Sequence, residues 1–173
     1  MIEKFPYKAI LIVCSVNTAR SRMAEGYFNY IFDNLGLDVD VYSAGVATNA
    51  RDGMLISLDA RLVMEEEGIE LPSNSKSIDL KRHRKLLNKV DLILTLTNKH
   101  KTQIRNINGE FKQDIFTLKE FAGGKGDIKD PSMQGPTGFR RARDEIKECI
   151  IKSLIQWFKK EQIESILNNN KTK

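Results

Sequence analysis

A thiol, a guanidinium and a hydroxyl stand close together near the start of the chain: Cys14, then five residues, then Arg20 and Ser21. The run before them (9–13, AILIV) is apolar and largely β-branched, the pattern of a buried strand. The segment after them carries Ala24, Tyr27, Phe28, Ile31, Phe32 and Leu35 at helical spacing. Cys14 and Arg20 therefore sit at the two ends of one short loop that opens onto a helix N-terminus. Backbone N–H groups and the helix dipole make such a loop a cradle for a phosphate-sized anion. The same field favours a thiolate, the nucleophilic form of a cysteine. Arg20 offers a planar fork for two phosphoryl oxygens. The loop residues Ser15, Val16, Asn17, Thr18 and Ala19 supply amides for the third, and the Ser21 hydroxyl can donate to the sulfur. The chemistry this suggests is phosphoryl transfer through a cysteine.

Such a reaction needs an acid to protonate the leaving atom. Asp130-Pro131 lies in a Gly- and Pro-rich stretch, 121–138, and the proline stiffens the residue before it. Asp127 is a neighbouring candidate for the same role. Taken singly, each residue has a plainer explanation: a free Cys is usually a small core residue, Arg20 a solvated helix residue, Asp-Pro a turn. Burial of Cys14 explains neither the Arg and Ser within one helical turn nor the loop 15–18 between them.

The rest of the chain reads as a scaffold for that loop. A second strand is expected at 39–43, ending at Ala44-Gly45. A helix at 54–67 places Leu55, Leu58, Leu62 and Val63 on one face. A short basic helix follows at 80–88, a third strand at 90–95, a helix at 98–106 and a short strand at 114–117. The last helix is capped by Thr137, with its apolar stripe running from Phe139 through Cys149 to Trp157 and Phe158. Strands alternating with helices imply a three-layer α/β fold on a parallel sheet, with ligands at the carboxyl ends of the strands. Residues 1–160 read as a single domain, and 161–173 as a polar C-terminal extension, a frayed helix that Ile163, Ile166 and Leu167 could extend by two turns.

The 173 residues carry 28 Lys and Arg against 23 Asp and Glu, a net charge of +5. The basic residues are spread along the chain with few aromatics among them, which is not a nucleic-acid signature. Two cysteines give no disulfide framework and suit a reducing, cytoplasmic compartment. No signal-peptide pattern and no membrane-length apolar run is seen. His83 and His100 lack the partners of a metal site, Gly123-Gly124-Lys125-Gly126 lacks the spacing of a nucleotide loop, and Cys149 and Trp157 read as core.

The loop VCSVNTARSRMAEG resembles the phosphate-binding loop of low-molecular-weight protein tyrosine phosphatases, Cys-x-Gly-Asn-x-Cys-Arg-Ser-Pro-x-Ala-Glu. Cys14, Asn17, Arg20, Ser21, Ala24 and Glu25 match it. Ser43-Ala44-Gly45, the third strand and Asp130-Pro131 also match, in order, over about residues 8–160. The resemblance implies a flavodoxin-like fold with four parallel strands in the order 2-1-3-4, no cofactor and no metal. It further implies Cys14 as nucleophile, Arg20 as phosphate clamp and Asp130 as general acid and then base. Asn17 and Ser21 would shape the loop and stabilise the thiolate, with Ser43 in their network. The implied substrate is a phosphorylated protein or peptide, with inorganic phosphate as product and neither nucleic acid nor membrane as partner.

Four departures stand out. Val16 replaces the loop glycine, which is costly if that position needs positive φ. Ala19 replaces the second cysteine, Arg22 the proline, and Ser132-Met133 the aromatic residues that many eukaryotic members carry after the acid. Thr18 resembles the residue that family members acting on phosphoarginine carry in this loop. The sequence places phosphotyrosine-type esters first and phosphoarginine second. A phosphopeptide-binding module of weak activity and a thiol-dependent arsenate reductase stand behind them. A flavin-binding flavodoxin would leave the Cys-x5-Arg loop without a use.

Overall fold

The computed structural model describes residues 4–107 and 110–169. Residues 1–3 of the domain read over 1–160 and residues 170–173 of the polar extension lie outside the described residues.

The apolar run forms β1 (Ala9–Cys14), buried at all six positions. It pairs in parallel with β2 (Asp40–Gly45) on one side and β3 (Leu92–Thr95) on the other. β4 (Asp114–Thr117) extends the sheet beyond β3, giving the order β2-β1-β3-β4. A strand with neighbours on both edges and layers on both faces meets no solvent, which is why residues 9–14 include no charged side chain.

Side chains alternate between two cores. Ile10, Ile12 and Cys14 face α1 (Arg20–Leu35), α5 (Gly135–Leu154) and α6 (Lys160–Asn168). Ala9, Leu11 and Val13 face two 3₁₀ turns (Leu80–Arg82 and Arg84–Asn88) and α3 (Asn98–Ile107), which contribute Leu80, Leu87 and Ile104. Helix α1 stops at Gly36, whose φ of 67° turns the chain so that the Gly36 and Leu37 N–H groups reach the Asp33 and Phe32 carbonyls.

Several local expectations are corrected. The 54–67 helix is shorter, α2 (Leu58–Glu65), and it turns Ala60, Val63 and Met64 inward. Leu55, Leu58 and Leu62 are 61, 63 and 47% exposed instead of forming a core stripe. The entry to α2 is fixed by the Ser57 N–H bond to the Thr18 carbonyl, while Leu55 pairs with Lys76 in an isolated bridge. The 80–88 segment is two 3₁₀ turns, broken at His83. The stretch read as a loop from 121 follows a one-turn helix, α4 (Leu118–Phe121), closed by a Thr117–Glu120 capping box.

The last long helix begins at Gly135 with Gln134 at its N-cap and Pro136 in the first turn, so Thr137 lies inside it and does not cap it. It ends at Leu154, and α6 is a separate helix that buries Ile163 and Leu167. Trp157 fills the turn between them, with its ring centroid 5.2 Å from that of Phe5 and 5.9 Å from that of Phe121. Among the described residues no helix is long and apolar enough to cross a membrane.

The first strand hands the chain to the loop at a point where β2 leaves no room. Cys14 is in register with Gly45. A Cβ on Gly45 would lie 2.8 Å from both the Ser15 carbonyl oxygen and the Val16 carbonyl carbon. Gly45→Ala is therefore expected to push the loop outward at a cost of about 1–3 kcal/mol. Urea unfolding with and without inorganic phosphate checks this: the variant should lose stability and lose most of the stabilisation that phosphate gives the wild type.

Candidate active site

Residues 15–19 bridge the end of β1 and the start of α1, and one residue sets the shape of the bridge. Asn17 is fully buried and has a φ of 62°, a left-handed conformation that asparagine tolerates better than most residues. Val16, where the resemblance raised the question of strain, is not among the residues with positive φ. The left-handed residue of the loop is Asn17, a residue type that accepts this conformation.

The hydrogen bonds of Asn17 fix their own direction. The Ile78 N–H can only donate, and it reaches Asn17 Oδ1 at 3.0 Å. Nδ2 must then be the donor to Ser21 Oγ and to Ser43 Oγ, both at 2.9 Å. Arg22 Nη1 adds a second bond to Oδ1 at 3.4 Å, which uses the full capacity of the amide. Because Ser21 Oγ accepts from Asn17, its own hydrogen is free for Cys14 Sγ, 2.9 Å away. The Asn17 backbone N–H donates to the same sulfur at 3.3 Å. The sulfur is buried and faces two donors, an arrangement suited to a thiolate.

Arg20 begins α1 with its side chain almost fully buried. Nη1 donates to the Ile128 carbonyl at 2.8 Å, and Nη2 donates to Ser15 Oγ at 3.2 Å. Ser15 Oγ lies 2.9 Å from His100 Nε2. Ser15 Oγ thus links the guanidinium to the imidazole, whose Nδ1 is buried with no hydrogen-bond partner among the described residues. His100 is buried, and burial together with the Arg20 charge lowers its pKa to about 4, so the ring is neutral. Sequence reasoning missed this residue, treating it as the polar start of a helix. The available signal was its place just past the carboxyl end of the strand next to β1, where such sheets gather their site residues.

The acid loop is anchored from both sides. Ile128 is fully buried, its N–H on the Leu96 carbonyl and its carbonyl on Arg20. Two residues on, Asp130 Oδ2 lies 4.0 Å from Arg20 Nη2, with its side chain 54% exposed. Partial burial pushes the Asp130 carboxyl up, but hydrogen bonds from Ser132 and the Arg20 charge outweigh this and leave it below the ordinary value. Asp127, the other candidate, accepts the Asn98 N–H at 2.8 Å and so secures the start of α3. The structure brings Asp130 to the loop and gives Asp127 a structural task.

Arg22, read as extra charge beside the pocket, is buried behind the loop. It donates to Lys76 O at 3.3 Å and to Ser75 Oγ, and its Nε lies 3.4 Å from Glu25 Oε1. Burial raises the Glu25 carboxyl while Arg22 opposes the rise. Ala19 is buried at the N-cap of α1, with no side chain to bond the helix end. Cys149 is buried on α5, and burial pushes its thiol up, away from the reactive form. Among the described residues no group of three His, Cys, Asp or Glu side chains could hold a metal ion.

A buried thiol, a buried guanidinium and a carboxyl thus converge at the carboxyl ends of β1 and β3. Residues 9–164 match the family described as low molecular weight phosphotyrosine protein phosphatase. The protein-arginine-phosphatase of Geobacillus stearothermophilus is 39% identical over 160 residues, covering 91% of this chain and 99% of that one. The low-molecular-weight protein tyrosine phosphatase of T. tengcongensis superposes with a TM-score of 0.77 at 34% identity, covering 86% of this chain and 98% of the other. A YwlE arginine phosphatase mutant with a phosphorylated active-site serine gives a TM-score of 0.77 at 32% identity, with 90% and 99% covered. The chain belongs to the low-molecular-weight phosphotyrosine protein phosphatase family and is a cysteine-dependent phosphoric monoester hydrolase of that class.

Proposed function

We propose that Cys14 attacks the phosphorus of a phosphorylated protein side chain, in line with the bond to be broken. The sulfur–phosphorus bond forms as the bond to the leaving atom breaks, and Asp130 gives that atom its proton. Water then attacks the cysteinyl-phosphate, Asp130 takes the water's proton, and inorganic phosphate leaves with the Cys14 thiolate restored. The observation that carries this reading is the pair of donors on Cys14 Sγ opposite the Arg20–Asp130 pair. The phosphorylated serine of the YwlE mutant supports a covalent step at the equivalent place. Asp130 is held as a carboxylate in part by Arg20. A phosphoryl dianion bound between them neutralises Arg20 and raises the carboxyl, so substrate itself prepares the acid.

Arg20 is aimed by its neighbours. Ser15, itself held by His100, accepts from one guanidinium nitrogen, and the Ile128 carbonyl holds the other. His100 acts here as a positioning residue. A free thiol at the centre of the site supports a reducing compartment, the cytoplasm, as the place of work.

The sequence alone puts phosphotyrosine first among substrates; the structure and the relatives support phosphoarginine as the preferred one. Thr18 is half-exposed, and its hydroxyl makes no hydrogen bond among the described residues, so it is available to a substrate nitrogen. After Asp130-Pro131 come Ser132 and the fully exposed Met133, with no ring to stack on a phosphotyrosine. The curated relative at 39% identity is a protein-arginine-phosphatase. Arsenate reduction by a cysteine relay would need a second thiol able to reach Cys14, and Cys149 is buried in the core with its thiol pushed up.

Cys14→Ser should abolish steady-state turnover of an aryl phosphate while far-ultraviolet circular dichroism stays unchanged. Asp130→Asn should slow turnover by about 10²–10⁴-fold, most strongly for poor leaving groups. Phosphoarginine and phosphotyrosine peptides of matched sequence should both be hydrolysed, with the higher kcat/KM for phosphoarginine. Thr18→Val should narrow that ratio, and an unchanged ratio would remove Thr18 from the substrate assignment.

His100 also makes a prediction in pH. Its folded value, about 4, lies below the unfolded value of 6.5, so the unfolded chain takes up the proton first. Stability is then lost as pH falls from 6.5 toward 4, by about 1.4 kcal/mol per pH unit for one proton. Urea unfolding between pH 7 and 4.5 should show a shallower pH dependence in His100→Phe than in the wild type. The same variant should bind inorganic phosphate more weakly, with His100→Gln, whose amide can bond the Ser15 hydroxyl as donor or acceptor, restoring part of the affinity.

A further inference from the structure

The segment between the phosphate loop and β3 carries Lys81, Arg82, Arg84, Lys85 and Lys89 within nine residues, and the catalytic scheme uses none of them. Its path along the sheet is fixed at both ends. At the carboxyl edge, Gly45 donates to the Ile78 carbonyl and Ile78 donates to Asn17. Lys81 reaches the carbonyl of Ala47, whose own N–H bonds to Ser15. At the other end of the sheet, the Asp91 N–H meets the Ala9 carbonyl and the Asp91 carboxylate accepts the Lys8 and Ala9 N–H groups. Between these anchors Leu80, Leu87 and Val90 plug into the second core, so the basic side chains are turned outward.

The turned-out residues line a cleft of about 620 Å³. Two carboxylates stand near it, and both are engaged. Asp79 pairs with Lys81 at 2.8 Å, while Asp52 pairs with His83 at 2.9 Å and accepts the Asp79 N–H. Arg82, Arg84, Lys85 and Lys89 are exposed and make no ion pair among the described residues. Arg140 and Arg143, by contrast, share Glu66, Lys147 holds Glu67 and Lys101 holds Glu120, while other cations unpaired among the described residues, such as Arg51, Arg105 and Lys125, stand apart in sequence and outside this cleft. Four unpaired cations thus line one cleft, on a segment that starts beside the phosphate loop at Lys81 and runs down the face of the sheet.

We propose that this track is a docking groove for an acidic stretch of the substrate protein, flanking its phosphorylated residue. The proposal rests on the phosphatase reading of Cys14 and names the kind of protein that site serves. With the phosphoryl group seated in the loop, an extended chain advances about 3.3 Å per residue. In the proposed pose, residues past the phosphorylated side chain run along the groove from its Lys81 end, and several Glu or Asp there meet the exposed cations Arg82, Arg84, Lys85 and Lys89. Exposed pairs of this kind are individually weak, add up over several contacts, and steer encounter in a salt-dependent way.

The test uses the full chain and two phosphopeptides that differ only in their flanks, four Glu in one and four Gln in the other, with a small aryl phosphate as reference. Wild type should favour the acidic peptide by about tenfold in kcat/KM at low salt, an advantage that shrinks as salt screens it. The variant Arg82→Glu/Arg84→Glu/Lys85→Glu/Lys89→Glu should lose or reverse that preference and keep its rate on the aryl phosphate. A milder variant with Gln at the four positions should give an intermediate ratio if charge reversal disturbs the fold.

Equal ratios in wild type and both variants would overturn the proposal. So would an absent peptide preference joined to tight binding of single-stranded RNA that the variants lose, since the groove would then serve a nucleic acid. Failure of the wild type to hydrolyse the aryl phosphate would instead overturn the phosphatase reading on which the groove depends.

Discussion

Everything in the site hangs on the amide of Asn17. A buried left-handed residue must recover its strain, and Asn17 does so by using all of its hydrogen-bonding capacity. Its four bonds join four pieces of chain: the phosphate loop itself, the first turn of α1 through Ser21 and Arg22, β2 through Ser43, and the returning segment through Ile78. The direction of each bond follows from the one donor that cannot be reversed, the Ile78 N–H. From that single fact the Ser21 hydrogen is released to the Cys14 sulfur and the backbone N–H of Asn17 is aimed there as well. In the proposed mechanism these two donors, and not a nearby base, prepare the Cys14 sulfur.

The second half of the site is tied to the first through Arg20. Its guanidinium spans Ser15 and Ile128, so the proposed phosphate clamp and the proposed acid, Asp130, share one support. The neutral His100 behind Ser15 holds that hydroxyl in place. Arg22 extends the same logic outward. Where the family pattern has a proline, this chain buries a cation that ties the loop to Ser75 and Lys76. Gly45 provides the space in which the loop lies flat against β2.

Much of this was legible in the sequence. The run 9–13, the helical spacing after Arg20 and the Asp-Pro pair are local patterns, and local patterns placed the strand, the loop and the helix beside one another. What escaped depended on contacts between distant residues. Asp127 and Asp130 look alike in sequence, and they are told apart by the Asn98 N–H that Asp127 holds. His100 stands 85 residues from its Ser15 partner, which no spacing rule reaches. The leucines 55, 58 and 62 suggested a core stripe, yet the small Ala60 is what fits against the neighbouring helices. Val16 looked strained until the positive φ proved to belong to Asn17.

The central claim is that Cys14 carries the phosphoryl group between substrate and water. Acid quench of the full-length protein during turnover of an aryl phosphate, followed by mass spectrometry of its peptides, reads this directly. The account predicts one phosphoryl group per chain, on the peptide that contains Cys14, accumulating further in Asp130→Asn with a good leaving group. Turnover with no phosphorylated peptide under any quench condition, or with the group on another residue, would contradict it.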